Sequence, residues 1–543
     1  MQSGDLAGAR TIFEEVVRLA PESAEAHNSL GFVLLTQGDL AAALPQLQNA
    51  VRLKPEFGLA HINLANAYLQ KGDAQLAVGE AREAAGLAPG DSEAQRALGR
   101  AEALAGDLVA AAVAFQSAIA VEPQRAQLYD ELGTVLVQQE KPADAATQFR
   151  KAAELAPDAL PPHLHLGVLR EQQNLPQEAE PELRAALRID PANAQAHFYL
   201  AHVLRSENKN GEAIAEYRAA IDAQPDFVDA LRDLGLLLQR EGEAEEAAAV
   251  FRKLTAVAPD NPDAHSDLGL ALLQTGDGKG SVLEFQAALR LRPEDSEYRK
   301  NLGVAYLQMT DFDAAVEQFT AALKSAPGDP TLHYDLGLAL KLKDHLPEAE
   351  AEFRKATELD PAQPDAHYTL GVTLWQSGEL PAAEQELRAA IRIKPDYAEA
   401  HYTLGTVLKQ EGKMPEAAAA LREAIRLQPD FSGAHTTLAG VLRQMGDTAG
   451  AAAESKAGAE IARDKNNLQA AAFATNSGKR LLNGGDLDGA VSQFRAAINA
   501  KPDYAVAHYQ LGLALRRKGE MEAAQKELQE AARLDPQFVA PRP

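Results

Sequence analysis

A leucine followed by a small residue recurs along this chain with one fixed spacing. The small residue stands at Gly31, Ala65, Gly99, Gly133, Gly167, Ala201, Gly235, Gly269, Gly303, Gly337, Gly371, Gly405 and Ala439, always 34 residues apart. A second apolar set follows on the same lattice: alanine, as at Ala43, Ala145, Ala315 and Ala417, then a bulky residue four places later, as at Phe115, Phe149, Phe251, Phe319 and Phe353. Prolines punctuate it from Pro21 and Pro55 onward to Pro429, and again at Pro502 and Pro536. This pattern predicts two antiparallel helices per repeat, each with one apolar face, the second ended by the proline.

The glycines fit that reading. Mid-helix glycine costs about 1 kcal/mol against alanine, so its recurrence implies a neighbouring helix too close for a side chain. A second glycine recurs seven residues on (Gly38, Gly72, Gly106, Gly242, Gly276, Gly378, Gly412), with Asn174 and Asn208 substituting. Both types tolerate the left-handed conformation that ends a helix. The second helix sometimes carries proline in its first turn (Pro142, Pro176, Pro381, Pro415), where the missing N–H does no harm.

The 34-residue unit with these Leu-Gly, Ala, Phe and Pro positions resembles the tetratricopeptide repeat family. The resemblance implies an all-α fold, a right-handed α-solenoid superhelix of helix-turn-helix repeats that binds partners on its concave face. The expected organisation starts inside a repeat: residues 1–23 supply a second helix only, with Ala9, Phe13 and Pro21 in register. Thirteen tandem repeats follow over 24–465, the last degenerate, with Arg463 at the proline position and Ser455 at the large apolar one. Residues 466–470 read as an insert and candidate hinge, 471–538 as two further repeats, and 539–543 as a short tail.

Charge and composition narrow the chemistry. Lys and Arg number 53 against 78 Asp and Glu, a formal net charge of −25, which argues against nucleic acid and anionic membrane surfaces as partners. The absence of cysteine removes disulfides, thiolate nucleophiles and Cys-based metal sites. No run approaches the ~20 apolar residues of a membrane span. Gly276-Asp277-Gly278-Lys279-Gly280 superficially resembles a phosphate loop, but it falls in an inter-helix turn without a preceding strand. Ten of the 13 histidines (27, 61, 163, 197, 265, 333, 367, 401, 435 and 508) share one repeat position, so they read as framework residues bonding between helices. His165, His202 and His345 stand off that lattice without forming a ligand cluster by spacing. No catalytic residue, cofactor or metal is expected.

Binding residues are sought on the first helices. With position 1 set three residues after the lattice proline, positions 2, 5, 9 and 12 share one face. Acidic residues at position 2 (Glu25, Asp229, Asp263, Glu297, Asp365, Glu399) suit a helix start. In the carboxy-terminal repeats position 5 reads Tyr334, Tyr368, Tyr402, Thr436, Thr475 and Tyr509. Position 12 reads Lys341, Trp375, Lys409, Arg443, Leu482 and Arg516. A basic stripe beside a tyrosine stripe suits an extended acidic or aromatic peptide. The expected function is a non-catalytic bacterial scaffold, cytoplasmic or exported, holding a protein or peptide segment. Two alternatives stand beside it: end-to-end polymerisation through uncapped ends, and the repeat arm of a larger, glycosyltransferase-like enzyme whose catalytic domain is absent.

Overall fold

A computed structural model describes residues 5–538, and the expected tail at 539–543 lies outside them. The described residues form thirty α-helices and no strand. They make two compact units, Met1–Leu291 and Arg292–Pro543.

One repeat shows how the sequence builds a helix pair. The first helix, Pro262–Gln274, opens where the Asn261 side chain accepts from the Asp263 and Ala264 N–H groups at 3.0 and 3.4 Å. It stops at Gly276, whose φ of +84° is the left-handed cap. The second helix, Gly278–Leu291, begins one residue after Asp277, which accepts from Gly280 N–H at 2.9 Å. The glycine-rich run is therefore a turn and a helix start. Between the helices, a Cβ added at Gly269 would sit 2.8 Å from Cε1 of Phe285, which is fully buried. The glycine exists to admit that ring, and each such phenyl contributes about 1.5–3 kcal/mol of burial.

Turns without glycine carry strain. Asn174 and Asn208 take positive φ as the pattern predicts, but so do Glu140, Thr310 and Asp344, at φ 58°, 59° and 63°. Aspartate shares the asparagine preference for this region, whereas Glu140 and Thr310 are held there by the helices on either side.

The lattice histidines are framework groups. In all ten repeats the ring Nε2 donates to the carbonyl of the lattice proline six residues earlier, as from His27 to Pro21 at 2.9 Å and His508 to Pro502 at 2.9 Å. In nine, Nδ1 meets a side chain of the second helix 19 residues on, at 2.6–2.7 Å. Those nine rings thus tie the end of one helix to the middle of the next.

The segment 466–470, expected as an insert and candidate hinge, is helical. It lies inside one uninterrupted helix, Thr448–Asn483, of 36 residues. With Arg463 in place of proline, nothing fixes φ or removes a backbone donor, so two helices fuse into a rod about 54 Å long. The joining stretch is anchored on both sides, Lys465 Nζ on the Asp430 carbonyl at 2.9 Å and Asp464 on Lys501 at 2.6 Å.

Candidate functional site: the first-helix faces

Within each unit, first helices of successive repeats touch one another, as Gly58–Lys71 touches Ser92–Ala105 and Pro364–Gln376 touches Ala398–Gln410. They line the inner face of the stack. Side chains there meet at a separation of 35 residues, position 5 of one repeat reaching position 6 of the next.

In the first unit these meetings are polar and mutually satisfied. Asn63 Nδ2 donates to Asn28 Oδ1 at 2.8 Å. Arg96 holds Glu131 through two bonds of 2.8 and 2.6 Å. His165 Nδ1 meets Asp130 at 2.8 Å, and Arg232 Nε meets Asp267 at 3.0 Å. His202 sits between Glu171 at 3.2 Å and Asp233 at 2.7 Å. Burial alone would depress the titration of His202, but the bonds to the two carboxylates outweigh it and raise the pKa. For Asp233 the reverse holds: burial pushes it up, and His202 more than compensates, leaving it lowered. Sequence reading passed over this network; opposite charges 35 residues apart were the available signal.

The second unit is different. Its position-5 rings are half-buried and lean on an aromatic residue two places after the next lattice proline. Tyr368 meets Tyr397 at 4.9 Å between centroids, Tyr402 meets Phe431 at 4.7 Å, and Tyr509 meets Phe538 at 5.0 Å. Tyr334 packs on Phe353 at 5.7 Å, and its hydroxyl shares a 3.3 Å bond with Thr369. The hydroxyls of Tyr368, Tyr402 and Tyr509 have no hydrogen-bond partner among the described residues. Position 12 contributes Trp375, half-buried, with Nε1 donating to Gln410 at 2.9 Å.

The four cations at position 12 are uncompensated. Lys341, Lys409, Arg443 and Arg516 make no ion pair among the described residues. Lys341 and Lys409 are half-buried, and Arg443 and Arg516 are exposed. Burial lowers the pKa of Lys341, with no carboxylate to oppose it. A Cβ built on Gly440, in the next repeat, would lie 3.5 Å from Lys409 Nζ, an ordinary contact distance. In the first unit position 12 is instead mostly neutral: Leu35, Leu69, Ala103, Val137, Gln239 and Leu273.

Among the described residues no group of three or more His, Asp or Glu is placed to hold a metal ion, and no helix is long and apolar enough to cross a membrane.

Tetratricopeptide repeat profiles match most of the chain: residues 1–56, 33–92, 62–127, 131–194, 164–226, 198–262, 232–296, 300–364 and 343–398, then 398–431, 478–519 and 505–538. The chain belongs to the tetratricopeptide repeat family. It is an α-solenoid, an architecture that serves protein interaction, and every profile match is to the repeat itself. No curated protein matches it in sequence. Among solved structures, the chain is similar to MamA 41-end from Desulfovibrio magneticus RS-1 at 24% identity, over 31% of this chain and 96% of that one, with a TM-score of 0.30. YrrB, described as a TPR protein with an unusual peptide-binding site, matches at 24% identity over 34% and 95%, with a TM-score of 0.30. A chain of the APC/C hetero-tetramer Cut9–Hcn1 matches at 14% identity over 94% of both chains, with a TM-score of 0.34. These low scores carry no argument about function.

Proposed function

We propose that this chain is a non-catalytic scaffold that holds an extended acidic or aromatic-rich peptide segment on the first-helix face of its second unit. The carrying observation is the set of four cations at position 12, Lys341, Lys409, Arg443 and Arg516, which have no acidic partner although the chain bears a net charge of −25. Cations kept free within so acidic a protein favour an anionic ligand and steer its approach. Tyr334, Tyr368, Tyr402, Trp375 and Tyr509 supply amphipathic surface of the kind that anchors interfaces. The same net charge favours protein over nucleic acid as the partner.

The test uses a fluorescein-labelled peptide of alternating Glu and Phe with the intact chain. Lys409→Glu combined with Arg443→Glu should weaken binding at least about tenfold, which corresponds to about 1.4 kcal/mol. Unchanged affinity in the double variant would remove this face as the site.

A further inference from the structure

The repeats of one chain serve as their own comparison set, and one of them breaks a rule the others keep. Where the sixth residue after the lattice proline is histidine, the residue 19 places later is Glu80, Glu182, Glu216, Glu284, Glu352, Glu386, Glu454 or Glu527, or in the first case Gln46. Where it is another residue (Gln95, Tyr129, Leu231, Arg299, Ala474), the partner position holds Ala114, Gln148, Val250, Gln318 or Gln493, never Glu. Eight of the ten histidines therefore face a carboxylate and a ninth an amide oxygen. The exception is His401, whose partner position is Ala420.

The structure shows what that exception leaves. His401 keeps the framework bond, Nε2 donating to the Pro395 carbonyl at 3.0 Å. Its Nδ1 has no partner among the described residues. In the eight His–Glu repeats a carboxylate oxygen lies 2.6–2.7 Å from the corresponding nitrogen. Here, beside Ala420, there is a cavity of about 510 Å³. Leu404, Leu408 and Ile391 form its apolar lining, and Arg388, Arg392, Glu416 and Glu423 are its charged groups.

Those charges do not cancel evenly. Arg388 is committed to Glu384 and Glu416, at 2.7 and 2.9 Å. Glu423 is held by Arg426 at 2.6–3.0 Å, and its pKa is lowered chiefly by that bond and also by the charge of His401 across the cavity, without a hydrogen bond to the ring. Arg392 is exposed and has no hydrogen bond or ion pair among the described residues. The remaining recognition groups are thus one guanidinium and one imidazole nitrogen, over an apolar floor.

We infer that this cavity is a carboxylate-binding site, in which an exogenous carboxylate takes the place at His401 Nδ1 that a glutamate side chain takes in the sibling repeats, with Arg392 as its second contact. The chemistry also fixes a proton. Because the Pro395 carbonyl only accepts, Nε2 carries the ring proton of neutral His401, and Nδ1 then presents a lone pair. Accepting a carboxylate requires a second ring proton, so binding takes up one proton and is tighter at lower pH. The site lies apart from the first-helix face and does not depend on it.

The test follows the imidazole ¹⁵N signals of His401 in the intact, labelled chain during titration with glutarate and, separately, with acetyl-Ala-Glu-Ala-amide. Both are run at about pH 6 and about pH 8. The expected result is a saturable shift of His401, about tenfold or more tighter at the lower pH. Arg392→Ser should weaken it, and Ala420→Glu should abolish it, because that glutamate occupies the site as its counterparts do. The Ala420→Glu chain is expected to fold, since eight repeats already carry that pair. Glutarate binding as tightly as the peptide identifies a free dicarboxylate as the ligand; peptide binding at least about tenfold tighter identifies an acidic side chain of a protein partner. No saturable shift with either probe, or the same shift in Ala420→Glu, overturns the inference.

Discussion

The two units are built from the same repeat, yet their inner faces treat charge in opposite ways. In the first, charged side chains find complements one repeat away: Arg96 with Glu131, Asp130 with His165, Arg232 with Asp267, and His202 with both Glu171 and Asp233. In the second, tyrosines stack on the next repeat and the cations at position 12 stay unpaired. A face whose charges are spent on each other stiffens the stack. A face whose cations are left over has electrostatic free energy to offer a ligand. The backbone lattice is common to both, so only a few first-helix positions separate the internally paired face from the one proposed to bind a peptide.

Substitutions can break this contrast. The largest effect is expected from Arg96→Glu, which removes a partner of half-buried Glu131 and sets three carboxylates (Glu93, Glu131 and the new one) together. It should destabilise the surrounding repeats by about 2–4 kcal/mol, seen as faster hydrogen exchange over residues 92–138, without altering peptide affinity. Arg463→Pro should cost about 3 kcal/mol and open the 464–470 stretch to proteolysis, restoring the helix break that the other repeats have. The Lys409→Glu, Arg443→Glu pair acts the other way, lowering peptide affinity about tenfold with little change in stability.

Smaller effects sharpen the comparison. His202 has a raised pKa in the folded chain, so its contribution to stability is complete below the unfolded histidine value and is lost as pH rises through the folded one. Asp233 has a lowered pKa, so its contribution is present above the unfolded carboxyl value and lost as pH falls through the folded one. Stability of the first unit should therefore decline on both sides of a mildly acidic optimum, and His202→Gln should flatten the alkaline side in urea melts taken across pH. Last, Gly440→Ala places a methyl at ordinary contact distance from Lys409 Nζ and removes a helix glycine. A gain of up to about 1 kcal/mol in stability is expected, with peptide affinity changed less than about twofold.

Much of the fold was legible because it is written fifteen times. Gly269 before Phe285, Gly276 at the turn and the proline after each second helix are local, repeated requirements, and repetition exposes them. What escaped was either non-repeating or long-range. The five extra residues between Ala439 and Gly478 were legible as a break in the 34-residue spacing, but not that they would be helical: with Arg463 in place of the helix-breaking proline they join two helices into Thr448–Asn483. The network on the face of the first unit escaped because its partners lie 35 residues apart and differ in type at each step. For the second unit, sequence reading located the tyrosine and basic positions. It did not show that the rings lean on Tyr397, Phe431 and Phe538, or that the cations lack partners.

The measurement that bears most directly on the claim is photo-crosslinking of the alternating Glu/Phe peptide, carrying a benzophenone at its centre, to the intact chain, with the attached residues identified by mass spectrometry. Attachment concentrated on first helices of the second unit, between Tyr334 and Arg516, and suppressed by Lys409→Glu with Arg443→Glu, is the predicted result. Attachment on the first unit, or on second helices alone, would contradict it.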